Sequence, residues 1–92
     1  MNNFYNKIEP TVRPFVKSLR EHGINTIASC EHDGYILAES RDPTTEQQRI
    51  SIALTIDMEV KKWKAVLTIE CDETGYYEQW EITSPVFHKI DD

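Results

Sequence analysis

The 92-residue sequence predicts an α+β domain, with one main N-terminal helix packed on an antiparallel sheet of about five strands. Three observations carry that prediction. Phe4, Ile8, Val12, Phe15, Val16 and Leu19 recur at the spacing of one helical face. After Gly23 the apolar residues change to alternation, the period of a strand with one buried side. The polar connections are short, as antiparallel neighbours require. A chain of this length forms a single domain, 1–92, and buries about two-thirds of its unfolded surface, so helix and sheet must share one core.

Residues 1–10 read as a lead-in segment pinned by Phe4 and Tyr5. The main helix is expected from near Thr11 to near His22, with Thr11 as N-cap and Gly23 just beyond the end. A start before Pro10 would put Pro14 in the helix interior, where its ring clashes and a donor is lost; a start at Thr11 puts it in the first turn. Ile24 to Ala28 reads as a short buried strand. Tyr35 to Glu39 reads as the second, joined to it through the Glu31 to Gly34 turn. Residues 40–48 are a polar loop with a turn at Asp42-Pro43, the expected mobile segment. Ile50, Ile52, Leu54 and Ile56 alternate with Ser51, Ala53 and Thr55, which predicts a third strand.

In the fourth predicted strand Trp63, Ala65, Leu67, Ile69 and Cys71 share one face, opposite Lys62, Lys64, Thr68, Glu70 and Asp72. A turn at 72–75 leads to the fifth, where Tyr76, Glu78, Trp80 and Ile82 share a face. An even number of loop residues sets the odd face of one beside the even face of the other, so Trp80 should sit near Leu67 or Ile69. Pro85 ends that strand, and Phe87 in the tail is placed to tuck back. One helix covers little of such a sheet. The uncovered face or an edge strand is therefore expected to receive a second copy, as a homodimer.

Composition narrows the function. Sixteen acidic residues against ten basic give a net charge of −6, and the basic residues cluster only at Lys61, Lys62 and Lys64, which argues against direct nucleic-acid binding. No apolar run approaches the ~20 residues that span a bilayer, so no membrane segment is expected. The N-terminal residues lack the pattern of a secretory signal, and the expected location is cytoplasmic. Cys30 and Cys71 are then expected as free thiols or metal ligands rather than a disulfide.

The densest reactive cluster is Ser29, Cys30, Glu31, His32 and Asp33, closed by Gly34. If strand geometry persists, Cys30 and His32 point to one side as ligands for zinc, with Cys71, His22, His88 or Asp33 completing the set. The same residues allow a reactive thiol, with His32 or His22 activating Cys30 and Glu31 or Asp33 orienting the imidazole; Ser29 is a further catalytic candidate. The plain alternative makes Cys30 a small buried hydrophobe and His32 a surface residue. Glu70, Asp72, Glu73, Glu78 and Glu81 read as solvated charges around the last hairpin. Trp63, Trp80 and Tyr76 read as core, and Tyr77 as pointing outward.

Gly23-Ile24-Asn25-Thr26-Ile27-Ala28-Ser29-Cys30-Glu31-His32 resembles a "GI-x-T-x-x-SCEGH" pattern in small, mostly uncharacterised bacterial and phage proteins. Here His32 follows Glu31 directly and the glycine comes later, at Gly34. Thr26, Ser29 and Cys30 are also similar to the Thr-x-x-Ser-Cys-x-Gly strand end of the tRNA wybutosine-synthesising methyltransferase-like family. The first resemblance implies a bacterial or mobile-element accessory protein with the Ser29-Cys30 turn as its marked spot; the second implies no activity. The function expected is that of a small cytosolic binding or accessory module. Two alternatives stand beside it: an enzyme or zinc site centred on Cys30 and His32, and an acidic inhibitor mimicking nucleic acid, which needs a continuous carboxylate stripe.

Overall fold

The computed structural model describes residues 4–41 and 44–89. The Asp42-Pro43 turn expected from the sequence lies outside the described residues. A short 3-10 turn, Tyr5–Lys7, precedes α1 (Arg13–Glu21), which is followed by β1 (Thr26–Cys30) and β2 (Tyr35–Ser40). Next come α2 (Glu46–Glu59), β3 (Lys64–Asp72), β4 (Gly75–Thr83) and a final 3-10 turn, Pro85–Phe87. The class is α+β as expected, but the described residues hold two helices and four strands rather than one helix and five.

α1 keeps Pro14 in its first turn, where the missing N–H costs nothing. Its N-cap is Val12 rather than Thr11 and has no side-chain cap bond. The Thr11 N–H goes instead to the Glu31 carboxylate, 3.1 Å away. At the other end Gly23 takes φ +84°, a backbone that favours glycine, and the next N–H, of Ile24, closes the helix on the Leu19 carbonyl at 3.0 Å.

The predicted strand over 50–56 is α2. Its start carries a full capping box: Gln48 N–H donates to Thr45 Oγ1 at 3.2 Å, and Thr45 N–H donates to Gln48 Oε1 at 2.7 Å. Arg49 in the first turn then donates to Glu78 of β4 at 2.7 Å, and Thr44 Oγ1 donates to the same carboxylate at 2.5 Å. Strict alternation misled because it also contains helical spacings. Ile52, Ile56 and Val60 lie at i, i+4 and i+8 and pack on the core. Ile50, Leu54 and Met58 have the same spacing about 200° away on the helix and are exposed.

The sheet is antiparallel throughout, in the order β1-β2-β4-β3. β2 and β3 are thus parallel, with α2 as the crossover between them and β4 inserted in the gap. Trp80 faces Leu67 across β3 and β4, as parity predicts, and Ala38 on its other side. The core gathers Val12, Val16 and Leu19 from the α1 segment with Ile36, Ala38, Trp80 and Ile82 from the sheet, closed by Ile56 and Val60. Phe87 does tuck back: it is fully buried, and its ring meets Phe15 edge-on at 5.2 Å between centroids.

The helix layer stops short of β3. Ala65 and Leu67 are half-buried, but Ile69, Cys71 and Tyr76, expected in the core, are exposed. Tyr77 is on the outer face, as expected, half-buried beneath the Arg41 guanidinium, which lies 4.2 Å from its ring centroid. No described helix is long and apolar enough to cross a membrane.

Candidate functional site

The turn after β1 holds the reactive residues the sequence singles out, and it separates them. β1 ends at Cys30, so strand alternation does not carry through to His32. Cys30 Sγ accepts the Asp33 N–H at 3.5 Å and lies 3.8 Å from Asp33 Oδ2. The exposed His32 turns to Glu9, with Nε2 3.6 Å from a carboxylate oxygen. Ser29 is half-buried beside Ile36 on the adjacent strand. Cys30 and His32 therefore have different partners, Asp33 for the thiol and Glu9 for the ring.

Cys71 is remote from both. Cys30 sits in a row of paired residues that continues through Tyr35 and Thr83 to Lys64. Cys71 lies seven positions along β3 from that row, about 23 Å at the rise of a strand, which is too far for shared ligation of one ion within a chain. His22 faces Glu59 at 3.7 Å, and the His88 ring lies against Gly34. Gly34 takes φ +70°, a left-handed backbone that favours glycine.

Among the described residues, the group that brings three ligand atoms together is Glu9, Glu31 and His32, all within 4.8 Å of one another. These residues could hold a cation through two carboxylate oxygens and one imidazole. Their present bonds also give them a structural role. Glu31 N–H donates to Glu9 Oε1 at 3.0 Å, Thr11 N–H donates to Glu31 Oε2, and the Lys89 N–H reaches the Glu31 carbonyl at 3.0 Å. The buried Glu31 thus ties three distant segments together: the lead-in, the turn and the tail. Hydrogen bonding from Thr11 holds its carboxyl below the ordinary glutamate range, aided by the charges of Lys89 and His32 and opposed by burial. No local pattern in the sequence marks Glu9 for this contact, because its partner lies 22 positions away.

The acidic residues of the last hairpin do not form a continuous stripe. Glu78, expected to be solvated, is buried beneath Arg49 and Thr44, whose hydrogen bonds hold its carboxyl below the usual range. Asp72 is bound by Arg41 at 2.8 Å, which depresses its carboxyl strongly with help from Thr74. Glu70, Glu73 and Glu81 are exposed.

A second group of exposed residues, apolar rather than reactive, lies on α2 and the last hairpin. Ile50, Leu54 and Met58 run along the outer flank of α2, and Ile69, Cys71 and Tyr76 lie on the helix-facing side of the hairpin β3 and β4. Met58 is 77% exposed and Ile69 69%. Between them Trp63 is half-buried and donates its indole N–H to Asp57 Oδ1 at 2.6 Å, bridging the helix to the start of the strand. Single exposed apolar residues are ordinary on a folded surface, whereas several on one helix flank and along one strand are less so. The sequence did contain the signal, in the second i, i+4, i+8 series of α2. Comparison of the chain with family models, with curated proteins and with solved structures finds no match in any of the three.

Proposed function

We propose that this chain is a small protein-binding module that works as a homodimer, joined through the α2–β3 face. The observation that carries this reading is the doubled apolar series of α2. One series, Ile52, Ile56 and Val60, packs on the chain's own core, and the opposite series, Ile50, Leu54 and Met58, meets solvent in the single chain. A helix with two apolar flanks is suited to two apolar layers, and only one belongs to this domain. The cytoplasm of a bacterium, or of one carrying a phage, is the proposed setting, resting on the likeness of residues 23–32. An enzymatic reading draws less support, because the Cys30 thiol is paired with Asp33 and the His32 ring with Glu9.

Sedimentation equilibrium tests the reading. The wild-type chain should sediment as a dimer at micromolar concentration, and Leu54→Glu should raise the dissociation constant by about a hundredfold, since a charge would be buried in the joint. A wild-type chain that is monomeric up to millimolar concentration would refute it. So would a dimer that Leu54→Glu leaves intact.

A further inference from the structure

The two edges of the sheet differ in a way that bears on how two copies meet. β1 is five residues long and its pairing with β2 is broken by a bulge between Thr26 and Ala28, features that discourage further pairing. β3 is nine residues long and keeps one register with β4 from Lys64 to Asp72. The two-residue turn after Asp72 closes on the Asp72 and Gly75 pair, which can only be of the hydrogen-bonded kind. Even-numbered residues of β3 therefore bond to β4, and the odd-numbered ones aim their N–H and C=O groups at the free edge.

Resting on the dimer reading above, we infer that β3 pairs antiparallel with β3 of a second copy about a two-fold axis at Leu67, making one continuous eight-stranded sheet across the dimer. Three conditions meet in that register. Leu67 faces its own copy as a hydrogen-bonded pair, with Ala65 opposite Ile69, so the groups aimed outward bond to each other. The parity is preserved, so Ala65, Leu67 and Ile69 stay on the helix side of the joined sheet, beside their counterparts in the second copy. On the other face Lys64 falls opposite Glu70, and the two-fold axis makes this two ion pairs, with Val66 opposite Thr68 between them. Lys64 and Glu70 are both exposed in the single chain. Moving the axis to Val66 would set Lys64 against Thr68, and moving it to Thr68 would set Glu70 against Val66. Leu67 is the centre at which each Lys64 meets a Glu70. The partner that this edge fits is thus a second copy of the chain, identified by charge complementarity of the strand with itself.

Charge reversal tests the register separately from the dimer. At low salt, Lys64→Glu and Glu70→Lys should each weaken the dimer by about tenfold, because each places like charges opposite at both ends of the joint. The double variant K64E/E70K should recover the wild-type constant to within about twofold. Thermal unfolding followed by circular dichroism checks that each variant is folded, and recovery in the double variant is a result that misfolding does not produce. If Leu54→Glu dissociates the dimer while neither reversal changes it, the dimer reading stands and the Leu67 register is overturned. If the double variant is as weak as the singles, the pairing of Lys64 with Glu70 is overturned. A monomeric wild type overturns both.

Discussion

Truncating Ile56 to alanine is expected to destabilise the folded monomer by about 2–5 kcal/mol, whereas the same change at Ile50 is expected to cost about 0.5 kcal/mol or less. Ile56 is fully buried and Ile50 is 52% exposed. The two isoleucines are six residues apart, an even number, so a strand would put both on one face and make the costs similar. In α2 they lie about 120° apart in the opposite sense, one over the sheet and one at the flank. Urea denaturation at concentrations low enough to keep the chain monomeric reads the contrast directly. Equal costs at the two sites would show that the segment is not a helix with this orientation.

Phe87→Ala carries the other large expected effect, about 3–5 kcal/mol, a large share of the 5–15 kcal/mol typical of a small domain. Phe87 is among the largest fully buried side chains, and it stands outside every strand and long helix. Its burial depends on the 3-10 turn at Pro85–Phe87, which starts at Ser84. That hydroxyl accepts the Val86 N–H and donates to the Lys61 carbonyl. The tail then continues to Lys89, whose N–H meets Glu31. Loss of the ring would open a cavity beside Phe15 and free the segment that pins the 29–34 turn. A guanidinium chloride midpoint close to wild type would contradict this placement.

Much of the architecture could be read from the residues because local rules and tertiary packing agree there. The α1 apolar face, the position of Pro14, the Gly23 stop, the hairpin parity and the return of Phe87 each follow from spacing or from one special residue. α2 could be misread because its two apolar series, interleaved, look like period two. What decides against a strand is Thr45 with Gln48 three residues later, a start signal that the periodicity overshadowed. Ile69, Cys71 and Tyr76 show the opposite failure. Their alternation correctly places them on the helix side of the sheet, but no sequence rule says how far the helix layer extends over it.

The candidate site was less legible. Ser29, Cys30, Glu31 and His32 stand together in the sequence, yet β1 ends at Cys30 and sends the thiol and the imidazole to different neighbours. Glu31, read as an orienting residue, proves to be a tie between backbone segments 20 or more positions away in sequence on either side. Such contacts depend on tertiary geometry that no local pattern encodes. The second copy expected on the uncovered face or an edge strand is a proposal here; what the fold adds to it is the exposed apolar residues of α2 and the long free edge of β3.

The central claim, that β3 is an interface strand, is tested most directly by amide hydrogen exchange of the wild-type chain measured at high and low protein concentration. Ala65, Leu67 and Ile69, whose amides aim at the free edge, should be protected at high concentration and exchange rapidly on dilution. Val66 and Thr68, bonded to β4, should be protected in both conditions. Rapid exchange at Ala65, Leu67 and Ile69 at every concentration would contradict the claim and leave β3 an ordinary solvated edge.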